Sequence, residues 1–507
     1  MKKIYLMLAI VASVLTSCDM DKMPEGVLDD QTGLNTFNKL TNDRNYTVYS
    51  GLRGRTSGSW VYNTELQMDQ FVGVQGNGNR GGTFSLAQVT AGDGTMGTIY
   101  GSLYSAIANA NYFIENAQKE HIDLTDEQKA DVALYIGEAK FARAFYYFYL
   151  LDHFCPTINA SNADVEGKGL QLVDKYNPTG NTETYPGRSS LRASIDFINT
   201  DLSEAYTAIK AYETSGPGLD MSPNSAYLNS SVVRALQARV AIATGDNENA
   251  IIYAREVISN TNYSLATPDE YIQMWNEDVS PEVIFKPFAA ASEQDAISSI
   301  GEGWNYWWSD ANQSDYIPTY STLAAYGNGD IRFDAFFTVH RIKGPDNMTA
   351  QTYVFNKFPG NPELISGTNR YKNGPKPFRL SEQYLILAEA AANLNQTDVA
   401  NNALKTLREA RIEGYTHRSL SGNALIEAVR EERGKELLGE GFRMSDLRRW
   451  GVGFTRDESY PILPALAGWF LGAEIQYAPN DYRYVWPIPT SEMEITPALK
   501  GQQNEGY

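Results

Sequence analysis

Cysteine is nearly absent from this chain of 507 residues: only Cys18 and Cys155 occur. Two cysteines cannot build a disulfide framework, so the fold must rest on a hydrophobic core. Histidine is scarce too, at positions 121, 153, 340 and 417. No two stand at an H-E-x-x-H or other metal-ligand spacing, which removes the usual basis for catalytic zinc. No G-x-S-x-G elbow is present, so a serine hydrolase of the α/β type has no support. Cations are in deficit, 42 Lys and Arg against 61 Asp and Glu for a formal charge of −19, and a surface of that sign repels nucleic-acid phosphate. A membrane-spanning run is missing as well. The most apolar stretch, residues 4–15, would make a helix about 18 Å long against a hydrocarbon core of roughly 30 Å.

What is present begins with that short run. Lys2 and Lys3 precede it and Leu15-Thr16-Ser17-Cys18 follows, the layout of a secretory signal with a small-residue cleavage site. Because the site ends on Cys18, it resembles the lipobox of bacterial lipoproteins, in which the thiol is acylated and the cysteine becomes the mature N-terminus. Several acyl chains, at about 0.8 kcal/mol per buried methylene, make such an anchor effectively permanent. With Cys18 acylated, Cys155 has no cysteine to pair with and is expected in the core. With Lys2 and Lys3 gone the formal charge becomes −21. Residues 1–17 are thus predicted to be a signal peptide and 18–35 a flexible, lipidated tether. The chain is 42% hydrophobic and 12% aromatic, with 32 Tyr and 8 Trp, material enough for a large core and for an aromatic binding surface.

Helical periodicity dominates the body. Apolar residues recur at three and four near 36–52, 96–118, 125–153, 188–212, 229–244, 247–260, 380–394, 397–412 and 421–440. Two helix-turn-helix units share a frame at an offset of 150 residues: Ala238 matches Ala388, Ala241 matches Ala391, Gly245 matches Asn395 and Ala250 matches Ala400. Alanines at this spacing let antiparallel helices approach closely, and Gly245 or Asn395 can take the left-handed conformation that ends the first helix. The units resemble tetratricopeptide repeats without the signature tryptophan. Stretches rich in Gly, Asn, Pro, Ser and aromatics lie at 53–95, 154–187, 262–379 and 451–507. They are too long for connectors and are expected to carry binding residues. The predicted fold class is mainly α: a tetratricopeptide-like helical hairpin scaffold with a large loop-rich ligand-binding half containing short strands. Its two regions are 36–265 and 266–507, the second loop-rich over 266–379, helical over 380–450 and irregular over 451–507.

Few constellations suggest chemistry. Gly76-Asn77-Gly78-Asn79-Arg80-Gly81 matches G-x-G-x-x-G after a predicted strand, but a dinucleotide site needs a helix opening on the last glycine, and the convincing helix starts only after Thr95. The segment reads better as a turn, or as a loop presenting Asn79 and Arg80 to a ligand. Trp304-Asn305-Tyr306-Trp307-Trp308 is the densest aromatic cluster. Not all of its rings can face one core from a loop, and a flat exposed ring with Asn and Asp nearby suits the C–H face of a sugar. Packing of the insertion onto the helices is the competing role. Isolated Trp275, Trp450, Trp469 and Trp486 are expected to pack. In the charged run 431–443, Glu431 with Lys435 and Arg433 with Glu436 are spaced as helix-supporting pairs. A glycosidase needs only two carboxylates, so that class stays open. No cofactor is called for, and a structural calcium ion in the 310–315 loop has no regular ligand spacing behind it.

The same charged run carries a family resemblance. Glu432-Arg433, Glu436-Leu437, Glu440-Gly441-Phe442-Arg443 and Asp446-Leu447-Arg448-Arg449-Trp450-Gly451 resemble the C-terminal signature of SusD/RagB proteins. Three more stretches agree: Glu138-Ala139-Lys140-Phe141-Ala142-Arg143 in an aromatic helix, Phe378-Arg379-Leu380-Ser381-Glu382 at a late repeat helix, and Trp486-Pro487-Ile488-Pro489 with the closing Asn504-Glu505-Gly506-Tyr507. The resemblance implies a surface-exposed outer-membrane lipoprotein of Bacteroidetes, lipidated on Cys18 and not an enzyme. It binds a glycan or oligosaccharide and delivers it to a SusC-like TonB-dependent transporter. The quoted motifs are then scaffold. Binding is carried over by region only, to the loops after the first helix and the large insertion before the late repeat, which points to Asn79, Arg80, Trp304, Tyr306, Trp307, Trp308 and Tyr320. Asp19 and Asp21 resemble the acidic export signal of surface lipoproteins in this phylum. The alternatives are a peptide-binding, RagB-like protein and a surface glycoside hydrolase.

Overall fold

The computed structural model describes residues 33–75, 81–120, 122–215, 218–292, 304–308, 311–365, 371–456, 469–472 and 474–507. The predicted signal and anchor, with Cys18, Asp19 and Asp21, lie outside the described residues, as do Asn79, Arg80 and Asp310. The fold is mainly helical. The longer helices are α1 (Phe37–Arg44), α2 (Ser59–Leu66), α3 (Gly94–Ala117), α4 (Asp126–Phe154), α5 (Leu191–Ser215), α6 (Ser230–Ala243), α7 (Asn247–Ile258), α8 (Pro268–Asn276), α9 (Leu380–Asn393), α10 (Thr397–Arg411), α11 (Gly422–Glu436) and α12 (Arg443–Trp450). The strands are short: β1 (Phe71–Val74), β2 (Val283–Phe285), β3 (Asn305–Trp308), β4 (Ala311–Ser314), β5 (Tyr316–Pro318), β6 (Phe337–Lys343), β7 (Thr349–Phe355), β8 (Phe378–Arg379), β9 (Phe454–Thr455), β10 (Phe470–Leu471) and β11 (Gln476–Tyr477). They form small sheets in the orders β10-β1-β5, β3-β4-β6-β7, β2-β8 and β11-β9.

α4 starts on a capping box between Thr125 and Gln128, which satisfies two of the amides a helix start leaves unpaired. Phe141, Phe145, Tyr146, Tyr147, Phe148 and Phe154 are all buried, so the second half of the helix is covered nearly all round and lies inside the molecule, with α3 and α5 packed against it. Its buried charges are matched. Glu138 accepts from Arg44 at 2.5 and 2.7 Å, and Arg143 donates twice to Asp201 at 2.7 Å.

The two alanine-rich units form as the sequence predicts. Ala238, Ala241, Ala250, Ala388, Ala391 and Ala400 share one core between α6–α7 and α9–α10. Both units turn in the same way. Gly245 and Asn395 are left-handed at φ 80° and 57°. The amide of Asp246 donates to Ala241 O at 2.9 Å, and that of Gln396 to Ala391 O at 2.8 Å, the long bond of a Schellman motif.

Other expectations need correction. The predicted helix 36–52 is α1 followed by a π-helical stretch, Asn45–Ser50, and a short turn of α-helix. α2 and α8 were not predicted, while α12 falls at the end of the segment 380–450 expected to be helical. The expected intrahelical pairs of the charged run do not form: Arg433 donates to Asp446 at 2.7 Å, Lys435 lies 3.4 Å from Glu432, and Glu431 is exposed. Glu436 instead meets Arg379 and Arg411 at 3.0 Å and Arg332 at 3.2 Å. The reason is burial, because this face of α11 is inside, where tertiary cations replace the solvent-exposed neighbours that spacing alone suggests. Trp275, Trp469 and Trp486 are buried, as packing residues should be, and Trp450 is half-buried.

Candidate functional site

The two loop regions singled out in the sequence meet on one small sheet. β1 is a run of Phe, Val, Gly and Val, buried throughout, with an antiparallel partner on each edge. β5 pairs Phe71 with Pro318 and Gly73 with Tyr316, and β10 pairs Gly73 with Leu471. At the end of β1 the amide of Val74 donates to Asp315 O at 2.8 Å and that of Gln75 to Trp469 O at 2.7 Å. Asp315 directly follows β4, whose Ser314 pairs with Asn305 of β3. The residues leading into the Gly/Asn segment therefore lie beside the base of the aromatic hairpin and beside a third insertion from the C-terminal tail.

On the far side of the Gly/Asn segment, the Gly81 amide donates to the Tyr316 hydroxyl at 2.5 Å. A Cβ at Gly81 would stand 2.7 Å from Leu66 and 2.8 Å from that hydroxyl, so this glycine serves close approach. Only a single helical turn, Gly82–Ser85, follows it, and the amide that would face a pyrophosphate is engaged by Tyr316. The context a dinucleotide motif requires is not there.

Of the predicted ligand residues, Trp304 is a correction. It is 1% exposed, with its ring 4.1 Å from Phe71, 5.0 Å from Phe355 and 6.4 Å from Tyr62. Those aromatic neighbours from β1, β7 and α2 give the indole more buried contact than a loop surface can, so it anchors the hairpin and a ligand does not reach it. The backbone of β3 pairs Tyr306 with Gln313, Trp307 with Asn312 and Trp308 with Ala311. Their side chains, like Asn79 and Arg80, lie outside the described residues. Tyr320 is half-buried and starts a turn capped by Thr319. It stands at the opposite end of the β1–β5 ladder from Val74, where the Thr319 amide meets Gln70 O at 2.9 Å.

Sequence reasoning missed two supports of this surface. Tyr316 ties the Gly/Asn segment to β5. Arg456 donates to the carbonyls of Leu66, Met68, Ser85 and Gly472 at 2.5–3.1 Å, and burial pushes its pKa down to about 10. A lone arginine in an irregular tail carries no pattern that would have marked it. No group of three or more His, Cys, Asp or Glu able to hold a metal ion occurs among the described residues. No helix among them is long and apolar enough to cross a membrane.

A tetratricopeptide-like scaffold whose insertions converge on one sheet defines a class of helical binding scaffold, and comparison with known proteins supplies the family. Residues 338–507 match the SusD family, and residues 32–231 match a family described as starch-binding associating with outer membrane. The chain belongs to the SusD family. A SusD-like protein of Formosa agariphila is 31% identical over 137 residues, which are 26% of this chain and 24% of the relative, so the match spans about a quarter of that relative. A SusD superfamily protein from Bacteroides thetaiotaomicron has the same fold, with a TM-score of 0.75 at 22% identity over 92% of this chain and 99% of that one. A laminarin-binding SusD-like protein superposes with a TM-score of 0.67 at 18% identity over 93% and 99% of the two chains. Surface glycan-binding protein A from Bacteroides fluxus does so with a TM-score of 0.65, also at 18% identity over 93% and 99%.

Proposed function

We propose that this protein holds a glycan or oligosaccharide at the outer-membrane surface, anchored by lipid on Cys18, and passes it uncleaved to a SusC-like TonB-dependent transporter. The observation that carries the reading is the pair of SusD-type family matches, one in each half of the chain. Supporting it, the fold is shared with a laminarin binder and a surface glycan binder, and the bases of the candidate loops meet on one sheet. The proposed contact residues are Asn79, Arg80, Tyr306, Trp307 and Trp308, with Tyr320 at the margin. Tethering beside a pore raises the local ligand concentration, so weak affinity suffices and release stays fast. The reading calls on no cofactor.

A glycan array probed with the wild-type protein and with Tyr306→Ala, Trp307→Ala and Trp308→Ala tests it. Loss of one stacking ring should weaken binding by about 5- to 10-fold, equivalent to roughly 1 kcal/mol. Trp304→Ala should instead lower the unfolding temperature. Unchanged glycan binding in all three ring variants rejects this surface. New reducing ends on incubation with the glycan would make the protein a hydrolase, and binding confined to peptides would make it RagB-like.

A further inference from the structure

A second site lies away from that surface. A cavity of about 130 Å³ opens where α2, α4, α6 and the segment 440–449 meet, and none of its lining residues belongs to the three-stranded sheet or to the β3–β4 hairpin. Phe145, Phe148 and Phe442 supply apolar wall. The carboxylates at the wall are all taken: Asp152 by Arg448 at 2.8 Å, Glu440 by Lys357 at 2.6 Å and Arg379 at 2.5 Å, and Asp446 by Arg433 at 2.7 Å and Arg449 at 2.9 Å. Arg55, also at the wall, donates to oxygens of Gly51 and Ser102 and to no carboxylate.

Four nitrogens on lining side chains are left over: Arg55 Nε, on a half-buried residue, and three on residues buried more deeply. Arg433 Nη1, Trp275 Nε1 and His153 Nε2 are buried with no hydrogen-bond partner among the described residues, on side chains that line the cavity and belong to residues only 2%, 2% and 4% exposed. Arg433 and Trp275 can only donate. His153 is different. Its Nδ1 lies 2.8 Å from the Tyr149 carbonyl oxygen, which only accepts, so Nδ1 carries the proton. Burial pushes the imidazole below its ordinary value, so the ring is neutral and Nε2 is a bare acceptor.

We propose that this cavity binds a small hydroxycarboxylate no larger than one six-membered ring. Its carboxylate accepts from Arg433 and Trp275, its hydroxyl donates to His153, and its carbon face lies against Phe145, Phe148 and Phe442. Size supports a single ring, since a cavity of about 150 Å³ takes benzene. Chemistry excludes the simpler occupants. A hydrocarbon leaves all three nitrogens unpaired, and an inorganic anion leaves the phenyl walls unfilled. A monosaccharide brings more hydroxyls than the wall can pair.

The test is calorimetric titration of the full chain with 4-hydroxybenzoate, 4-hydroxyphenylacetate and 3-hydroxybutyrate, with methyl 4-hydroxybenzoate and glucose as controls. Saturable binding of at least one acid is expected, at a Kd of about 10 µM to 1 mM, with neither control binding. Trp275→Phe keeps the ring and removes the donor, and should weaken binding by about tenfold. Ala243→Leu fills the cavity from α6 and should abolish binding while thermal unfolding stays cooperative and glycan binding is unchanged. No saturable binding by any of the three acids overturns the proposal. So does equal binding of the methyl ester, or binding that Trp275→Phe and Ala243→Leu both leave intact.

Discussion

Glu65 Oε1 accepts the amide of Gly441 at 2.7 Å and that of Phe442 at 2.9 Å, and the guanidinium of Arg443 reaches Asp69 at 2.6 Å. Glu65 is buried and Asp69 half-buried at the start of α12, yet they titrate in opposite directions. Burial would raise Asp69, but the Arg443 charge overcomes it and holds the group below its ordinary value. Glu65 accepts only backbone amides, and these with a weaker pull from the Arg443 charge do not offset burial, so its pKa is pushed up to about 7. A raised carboxylate pKa means the folded state binds the proton more tightly. Its stabilisation is fully present below the unfolded value of about 4.5 and is lost as pH rises through about 7. Glu65→Gln should therefore gain on the wild type by about 3 kcal/mol between pH 4.5 and pH 8. Urea unfolding across that range checks it, and a difference independent of pH would show that Glu65 does not titrate with folding. None of this was legible in the sequence, where Glu65 is one carboxylate among 61. The same holds for Trp304: composition marked the aromatic cluster, but which ring turns inward depends on Phe71, 233 positions earlier, and on Phe355, 51 later.

At the scale of elements, local rules repeated in the chain were read well. The Gly245 and Asn395 turns were predicted because alanine spacing and a left-handed former recur together, and both turns carry the same hydrogen bonds. A Cβ at Gly245 meets nothing within 4 Å, so the cost of Gly245→Ala is the left-handed backbone alone, about 1–2 kcal/mol. Asn395→Gly, at a position that already tolerates a side chain, should change stability by less than about 0.5 kcal/mol. Thermal unfolding of the two variants measures this, and equal losses would mean the turns do not share one geometry. Elements without a periodic face were missed. α2 buries Asn63, Thr64 and Glu65 beside Leu66, so no stripe separates its faces. α8 was readable in principle, since Thr267 and Glu270 form a capping box with Pro268 at the first helical position, a signal that a search for stripes passes over.

The described residues are held together by contacts that run from Leu34 to the C-terminal tail. One hydrophobic core includes Leu34, α4, Trp304, Phe355, Trp486 and Leu499. A buried cluster of charges ties distant segments, with Arg379 on Glu282 at 2.8 Å and Arg411 on Glu282 at 2.6 Å while both also hold Glu436. The C-terminal residues close against the end of α4. Asn504 Nδ2 donates to Phe154 O at 2.8 Å and Trp486 O at 2.7 Å, its Oδ1 accepts from Arg188 at 2.8 Å, and the Trp486 amide donates to His153 O at 2.7 Å. This gives physical content to the closing motif, because only a side-chain amide offers two donor hydrogens and an acceptor at one buried point. Asn504→Ala should cost about 1–3 kcal/mol, the range for buried groups left unpaired. Because the tail shares a core with α4, the loss should lower a single transition seen alike by tryptophan fluorescence and far-ultraviolet circular dichroism. A separate early transition in fluorescence, with the helical signal unmoved, would mean that the tail melts alone and that the contacts around Asn504 do not bind it to the rest.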